Sequence, residues 1–409
     1  MSFVDHLECV CCGQAYAPSR VGFTCPACGP DDGILDVAYD LAAVGRSLTL
    51  SDLSEAPASH WRYGPLLPLE EEHAGYDWPI GWTPLTETPA LAAQVGVKRL
   101  RIKDEGRNLS GSFKDRASSV GVVRALDAGA RVIACASTGN AAVSMAACAA
   151  LAGMAANIFV SQSVPAGKLA QLLIYGARVF KVQGTYAQAY DLCMQACERF
   201  GWYNRCCAYN PYLVEGKKTG GMELAEQCFA DPPDWVAVSV GDGCTIAAIG
   251  KGLRQMRELE IIDWSPRLLG VQAEGVAPIA RAFETDRLDP CDGDTFADSI
   301  NVPVPRNWRK AVRAVRESEG AFVTVSDDEI AEAMRLTGHL AGVFAEPAGA
   351  ASIAGIARAL AEGIIGPRSS VVAMLTGNGL KDIAAARRCV GEPIDVPSDL
   401  EAVAKWVEM

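Results

Sequence analysis

A chain of 409 residues is long enough for two or three compact units, each with its own core. Its formal net charge of −12 at pH 7 argues against nucleic acid or an anionic membrane as the main partner, because both reward clustered Lys and Arg. With no run of about twenty apolar residues, and neither a basic end nor an apolar run in Met1-Ser2-Phe3-Val4-Asp5-His6, the expectation is a cytoplasmic protein that handles small molecules.

The first segment, residues 1–35, carries Cys9-Val10-Cys11-Cys12-Gly13 and, after a hairpin-like stretch, Cys25-Pro26-Ala27-Cys28-Gly29. Two Cys-x-x-Cys knuckles can set Cys9, Cys12, Cys25 and Cys28 tetrahedrally around one zinc ion. Four protein ligands leave no open position, so such a zinc is structural. A reduced, metal-free remnant of a ribbon is the alternative, and Cys11 competes for the same role. Other cysteines, such as Cys148, Cys193 and Cys197, sit singly in apolar stretches and read as buried free thiols.

Residues 36–95 read as a connector that wraps a larger unit. They are rich in Pro, Glu, Trp and Tyr and show no strong period, as in Trp61-Arg62-Tyr63-Gly64-Pro65 and Gly81-Trp82-Thr83-Pro84-Leu85. From about residue 97 short apolar runs alternate with amphipathic ones. Strands are expected at 99–103, 131–136, 156–160, 178–182, 235–240, 268–272 and 371–375, and helices at 141–151, 187–200, 247–259, 327–341 and 348–362. This alternation predicts parallel sheets flanked by helices, with ligands gathered beyond the carboxyl ends of strands.

Four small, polar, glycine-bearing loops lie where such ligands gather, each expected to open a helix: Ser110-Gly111-Ser112-Phe113-Lys114-Asp115-Arg116, Ser137-Thr138-Gly139-Asn140, Gly241-Asp242-Gly243-Cys244-Thr245 and Thr376-Gly377-Asn378-Gly379. Lys114, at a helix start, would be biased toward the neutral amine by the helix dipole and by burial, which suits Schiff-base chemistry. A solvated lysine beside Asp115 and Arg116 is the plain alternative. The second loop suits a carboxylate and a phenolate-like oxygen, the third a phosphate, and the hydroxyl of Thr376 a ring nitrogen. His6, His60, His73 and His339 all lie outside these loops, which leaves no histidine triad.

From about Gly81 to Asp382 the chain resembles the fold-type-II pyridoxal-phosphate (PLP) enzymes, most closely the threonine synthases. The resemblance rests on Leu109 to Arg116, Ala136 to Asn140, Asn210-Pro211-Tyr212, Glu215 to Thr219, Glu346 to Ala351 and Leu375 to Asp382. It implies an α/β fold of two domains over 96–409, the smaller at roughly 118–215, with parallel-rich sheets flanked by helices and the zinc-ribbon-like extension in front. It implies PLP on Lys114 with Phe113 packed near its ring, Asn140 on the phenolic oxygen, Thr376 on the pyridine nitrogen, and Gly241, Asp242, Gly243, Cys244 and Thr245 around its phosphate. Ser137, Thr138, Gly139, Asn140 and Ala141 would take the carboxylate of an amino-acid substrate, and Lys168 would meet a phosphate or else do nothing on the surface. The implied protein is a homodimeric lyase that turns O-phospho-L-homoserine and water into L-threonine and phosphate. Leu213 stands where the family usually has a phosphate-gripping Arg, Asn378 where His is usual, and Gly-Asp-Gly-Cys-Thr where Gly-Asn-Ala-Gly-Asn is usual. These departures keep open a relative that eliminates or replaces a β-substituent on a serine-, threonine- or phosphoserine-like amino acid: a dehydratase, a cysteate-synthase-like or a diaminopropionate-forming enzyme.

Overall fold

A computed structural model describes residues 3–70, 77–162, 164–206 and 209–407. Residues 1–2 of the expected extension, 71–76 of the connector and Cys207 lie outside the described residues. Three sheets organise the described residues.

The first is small and antiparallel, in the order β2-β1-β3, built from β1 (Val4–Cys9), β2 (Ala15–Tyr16) and β3 (Leu35–Tyr39). It runs on to Tyr39 rather than stopping at residue 35, because β3 supplies its third strand. Alternation along β3 buries Leu35, Val37 and Tyr39. Asp36 points the other way, into a ring of cations. Its carboxylate meets Lys251 and Lys310 at 3.0 Å each and Arg313 at 3.2 Å, which ties the ribbon to the main body. Burial alone would raise the Asp36 carboxyl, but the three cations hold it well below the usual carboxylate range.

The main sheet has β4 (Leu85–Glu87), β5 (Arg99–Asp104), β10 (Trp235–Ser239), β11 (Arg267–Ala273), β12 (Ala321–Val325) and β13 (Ser370–Leu375), in the order β12-β11-β10-β13-β5-β4. Only β4, on the edge, runs antiparallel. The smaller sheet holds β6 (Val132–Ala136), β7 (Ala155–Val160), β8 (Arg178–Lys181) and β9 (Tyr203–Asn204), all parallel, in the order β8-β7-β6-β9. Continuous apolar runs suit such strands, since helices cover both faces; every residue of β10 is buried.

Strand order places the loops. Because β10, β13 and β5 are parallel neighbours, the segments after residues 239, 375 and 104 leave one edge of the sheet side by side. Those segments contain the third, fourth and first glycine loops. The second follows β6 in the smaller sheet.

Candidate active site

Lys114 opens the helix Lys114–Asp127, with Phe113 at its cap position and no side chain capping it. Its flanks are not those of a solvated helix start. Asp115 is buried and accepts from the Ser110 amide at 2.7 Å and the Ser110 hydroxyl at 2.6 Å, which closes the loop on itself. Arg116 is fully buried between two carboxylates: both its bonds to Glu105 measure 2.8 Å, and those to Glu223 measure 2.6 and 2.7 Å. Burial would raise Glu223, yet Arg116 and Lys103 hold it below the carboxylate range. Two forked pairs fix the helix start that carries Lys114.

The first and fourth loops are joined by main-chain bonds. Phe113 N–H donates to Thr376 O at 2.9 Å, Asn378 N–H donates to Gly111 O at 3.0 Å, and Ser112 and Gly377 form an antiparallel bridge. Glu346 N–H donates to Gly377 O at 2.9 Å, and a Cβ on Gly377 would overlap the Glu346 carboxylate. That carboxylate accepts from Asn140 Nδ2 at 2.8 and 3.1 Å, bringing in the second loop from the other sheet. Burial raises the Glu346 carboxyl above its ordinary value, opposed by Asn140 and by the charges of Lys168, Lys114 and Lys381.

In the second loop Ser137 Oγ accepts from Gly139 N–H at 3.1 Å, while Ser137, Thr138, Gly139 and Ala141 are half-buried. The helix Asn140–Leu151 starts without a side-chain cap. In the third loop Gly243 has φ +94°, and a Cβ there would lie 2.8 Å from Asn307 O, so a side chain is excluded twice over. The Asp242 carboxylate turns toward the neighbouring segment, accepting from Arg306 N–H at 2.8 Å and Asn307 Nδ2 at 2.7 Å. Gly241 packs against Ile300. No side chain caps the helix Cys244–Glu258 that follows, so the amides of its first turn, near Cys244 and the half-buried Thr245, are oriented for an anion. The fourth loop differs from expectation in opening a 3-10 turn, Gly379–Lys381, before a short helix.

Lys168 is not on the surface. It is buried on the helix Ala166–Ile174, with Nζ 3.0 Å from Asp298 Oδ2. Leu213 is fully buried where a Cβ on Gly121 would overlap it, so it packs against the helix Lys114–Asp127. Two participants were not assigned from sequence. Glu346 joins the second and fourth loops, and Lys381 lies over the first, with Cε 3.2 Å from a Cβ built on Gly111. Both stand inside the quoted motifs, and that was the only signal available.

Residues 78–377 match the family described as pyridoxal-phosphate dependent enzyme. A threonine synthase from Methanosarcina acetivorans is 38% identical over 406 residues, covering 98% of both chains. Another from Methanocaldococcus jannaschii is 37% identical, over 97% of this chain and 98% of its own. The chain belongs to the threonine synthase family. More distant fold-type-II structures share the architecture: diaminopropionate ammonia lyase from Escherichia coli, with TM-score 0.66 and 19% identity over 84% of this chain and 92% of its own, and a threonine deaminase from Solanum lycopersicum, with TM-score 0.64 and 22% identity over 80% and 82%.

The cleft fits PLP by its own polar balance. Asn140 Oδ1 and Ser112 Oγ are buried with no hydrogen-bond partner among the described residues, one on each side of the Glu346 junction. Buried polar atoms of this kind are costly unless a ligand completes them. At the other end of the chain the sulfurs of Cys9, Cys12, Cys25 and Cys28 all lie within 4.8 Å of one another; Cys11 is not among them. Tyr16 Oη lies 3.1 Å from Cys25 Sγ. Burial raises the Cys25 thiol, but Tyr16 and the amides of Cys28 and Ala27 outweigh it and bring it down to about 6.

Proposed function

We propose that this chain forms L-threonine and phosphate from O-phospho-L-homoserine and water, with PLP carried by Lys114. The observation that carries this reading is the junction at Glu346, where Lys114, Asn140 and Thr376 are brought to one cleft by the Phe113–Thr376 and Asn140–Glu346 contacts. Whole-length similarity to threonine synthases supports the substrate.

The residues to hold the cofactor are Lys114, Phe113, Asn140, Thr376 and the turn from Gly241 to Thr245. Bound there, PLP supplies an electron sink for the charge left when a proton leaves the substrate. The uncapped start at Ser137 to Ala141 takes the substrate carboxylate on its N–H groups. Lys114, released from its carrier role, takes the α-proton and passes it onward, so one amine does work that otherwise needs a histidine. Asn140–Glu346 and Lys168–Asp298 draw the two sheets together over the cleft and keep stray water from the reacting carbons.

Replacing Lys114 tests this directly. The purified wild type should bind PLP, gain its mass after borohydride, and release threonine and phosphate in equal amounts. Lys114→Ala should lose the covalent adduct and at least about three orders of magnitude of turnover. The buried position of Leu213 favours a second reading, β-elimination or β-replacement without a phosphate grip. Keto acid from serine or threonine, with no phosphate released from phosphohomoserine, would select it.

We also propose a structural zinc in the Cys9, Cys12, Cys25 and Cys28 cluster, on the chemistry of four closely spaced thiols. Zinc measured by mass spectrometry should be about one per chain in wild type and absent from the double variant Cys9→Ser/Cys12→Ser.

A further inference from the structure

The phosphohomoserine reading needs a cation for the substrate's phosphate, and Leu213 cannot be that cation. Among the described residues the buried Arg205 guanidinium meets only the Ser118 hydroxyl, with Nε and Nη2 at 3.2 and 2.9 Å, and it is not among the charges that act on Glu346. Two amines near Glu346 remain. Lys168 reaches from the helix Ala166–Ile174 to Asp298, next to Ser299 and Ile300, against which Gly241 of the third loop packs. Lys381 follows the Thr376 loop and lies over Gly111 of the Lys114 loop. Both act electrostatically on Glu346, as Lys114 does. The three amines thus act on one buried carboxylate, at the junction of the second and fourth loops.

Lys381 is under-partnered for a buried ammonium. Its one hydrogen bond among the described residues is to the neutral carboxamide of Gln171, at 3.0 Å, and no carboxylate pairs with it within 4.0 Å. Gln171 stands one turn after Lys168 on the same helix, so the two amines flank a common face. An ammonium has three N–H donors, and a phosphate ester offers oxygens for those left over.

We infer that Lys381, together with Lys168, grips the phosphate of the substrate and supplies the positive charge that Leu213 cannot. This rests on the phosphohomoserine reading and names the residue that sets its specificity. Burial brings the Lys381 amine down to about 8, with Asp115 and Glu346 opposing and Lys168 adding to the fall; a phosphate beside it would raise it again.

The test uses the PLP-loaded enzyme. Lys381→Met should raise KM for O-phospho-L-homoserine about tenfold or more and weaken inhibition by inorganic phosphate in parallel, with kcat changed much less and bound PLP unchanged. Lys381→Arg should restore most of both. Unchanged KM and phosphate inhibition in Lys381→Met, or a loss confined to kcat and PLP content, overturns the inference. If wild type fails to turn over phosphohomoserine, the proposed function falls by itself. Titration calorimetry with inorganic phosphate then decides: binding lost in Lys381→Met upholds the anion grip, and no binding, or binding unaffected by the substitution, ends it.

Discussion

The buried lysines of the ribbon joint and those of the cleft have contrasting surroundings. At the ribbon joint Lys251 spends all its donors on acceptors of the protein itself: Asp36 at 3.0 Å, Val37 O at 2.6 Å and Glu215 at 2.7 Å. In the cleft Lys381 has one neutral partner and Lys168 one half-exposed carboxylate. Titration follows suit. Burial depresses both amines, but Asp36 and Glu215 reverse that at Lys251 and leave it raised, whereas Lys381 ends near 8. Lys251 is saturated by the protein's own acceptors, whereas Lys381 keeps donors in hand.

The contrast can be broken first at the joint. Asp36→Asn strands Lys251 and Lys310 without their shared counter-charge, and denaturant unfolding should show a loss of about 3 kcal/mol. The sign with pH is fixed by the depressed Asp36 carboxyl. Its contribution is present above the ordinary value of 3.8 and is lost as pH falls through the lower folded value, so wild type and variant should converge in stability in strong acid.

A smaller effect is expected at Glu346, whose carboxyl is raised. Wild-type apoprotein should lose stability as pH rises from 4.5 through that higher folded value; Glu346→Gln should flatten this dependence and cost about 1 kcal/mol at low pH. The smallest stability change belongs to Lys381→Met. Removing an under-partnered buried charge should move the melting temperature of the apoprotein little, in either direction. A large loss there would mean that Lys381 holds structure as Lys251 does.

Much of the larger fold was legible because parallel strands covered on both faces leave short apolar runs ending in glycine turns. Each of the seven expected strands has a counterpart shifted by at most a residue or so, as with β13, expected at 371–375 and found at Ser370–Leu375. β12 escaped because it is an edge strand with a mixed burial pattern. The helix Tyr212–Gln227 escaped for a different reason. Gly216, Gly220 and Gly221 make it look like a loop, yet they are there for close packing: a Cβ on Gly216 would overlap Arg116 O. Among candidate site residues, Lys114 and the glycine loops stood out by local pattern. Glu346 and Lys381 did not, since their surroundings are made by residues more than two hundred positions away, such as Asn140 and Gln171.

The way the loops are fastened also assigns a division of labour. Gly111 to Phe113 is sewn to Thr376 to Asn378 through the polypeptide backbone, while Asn140, Lys168 and Gln171 reach across by their side chains. The first seam behaves as an anvil and the second as a clasp. A spectroscopic label at Thr138 of the second loop should therefore register opening of the cleft, and one beside Ser112 should stay silent.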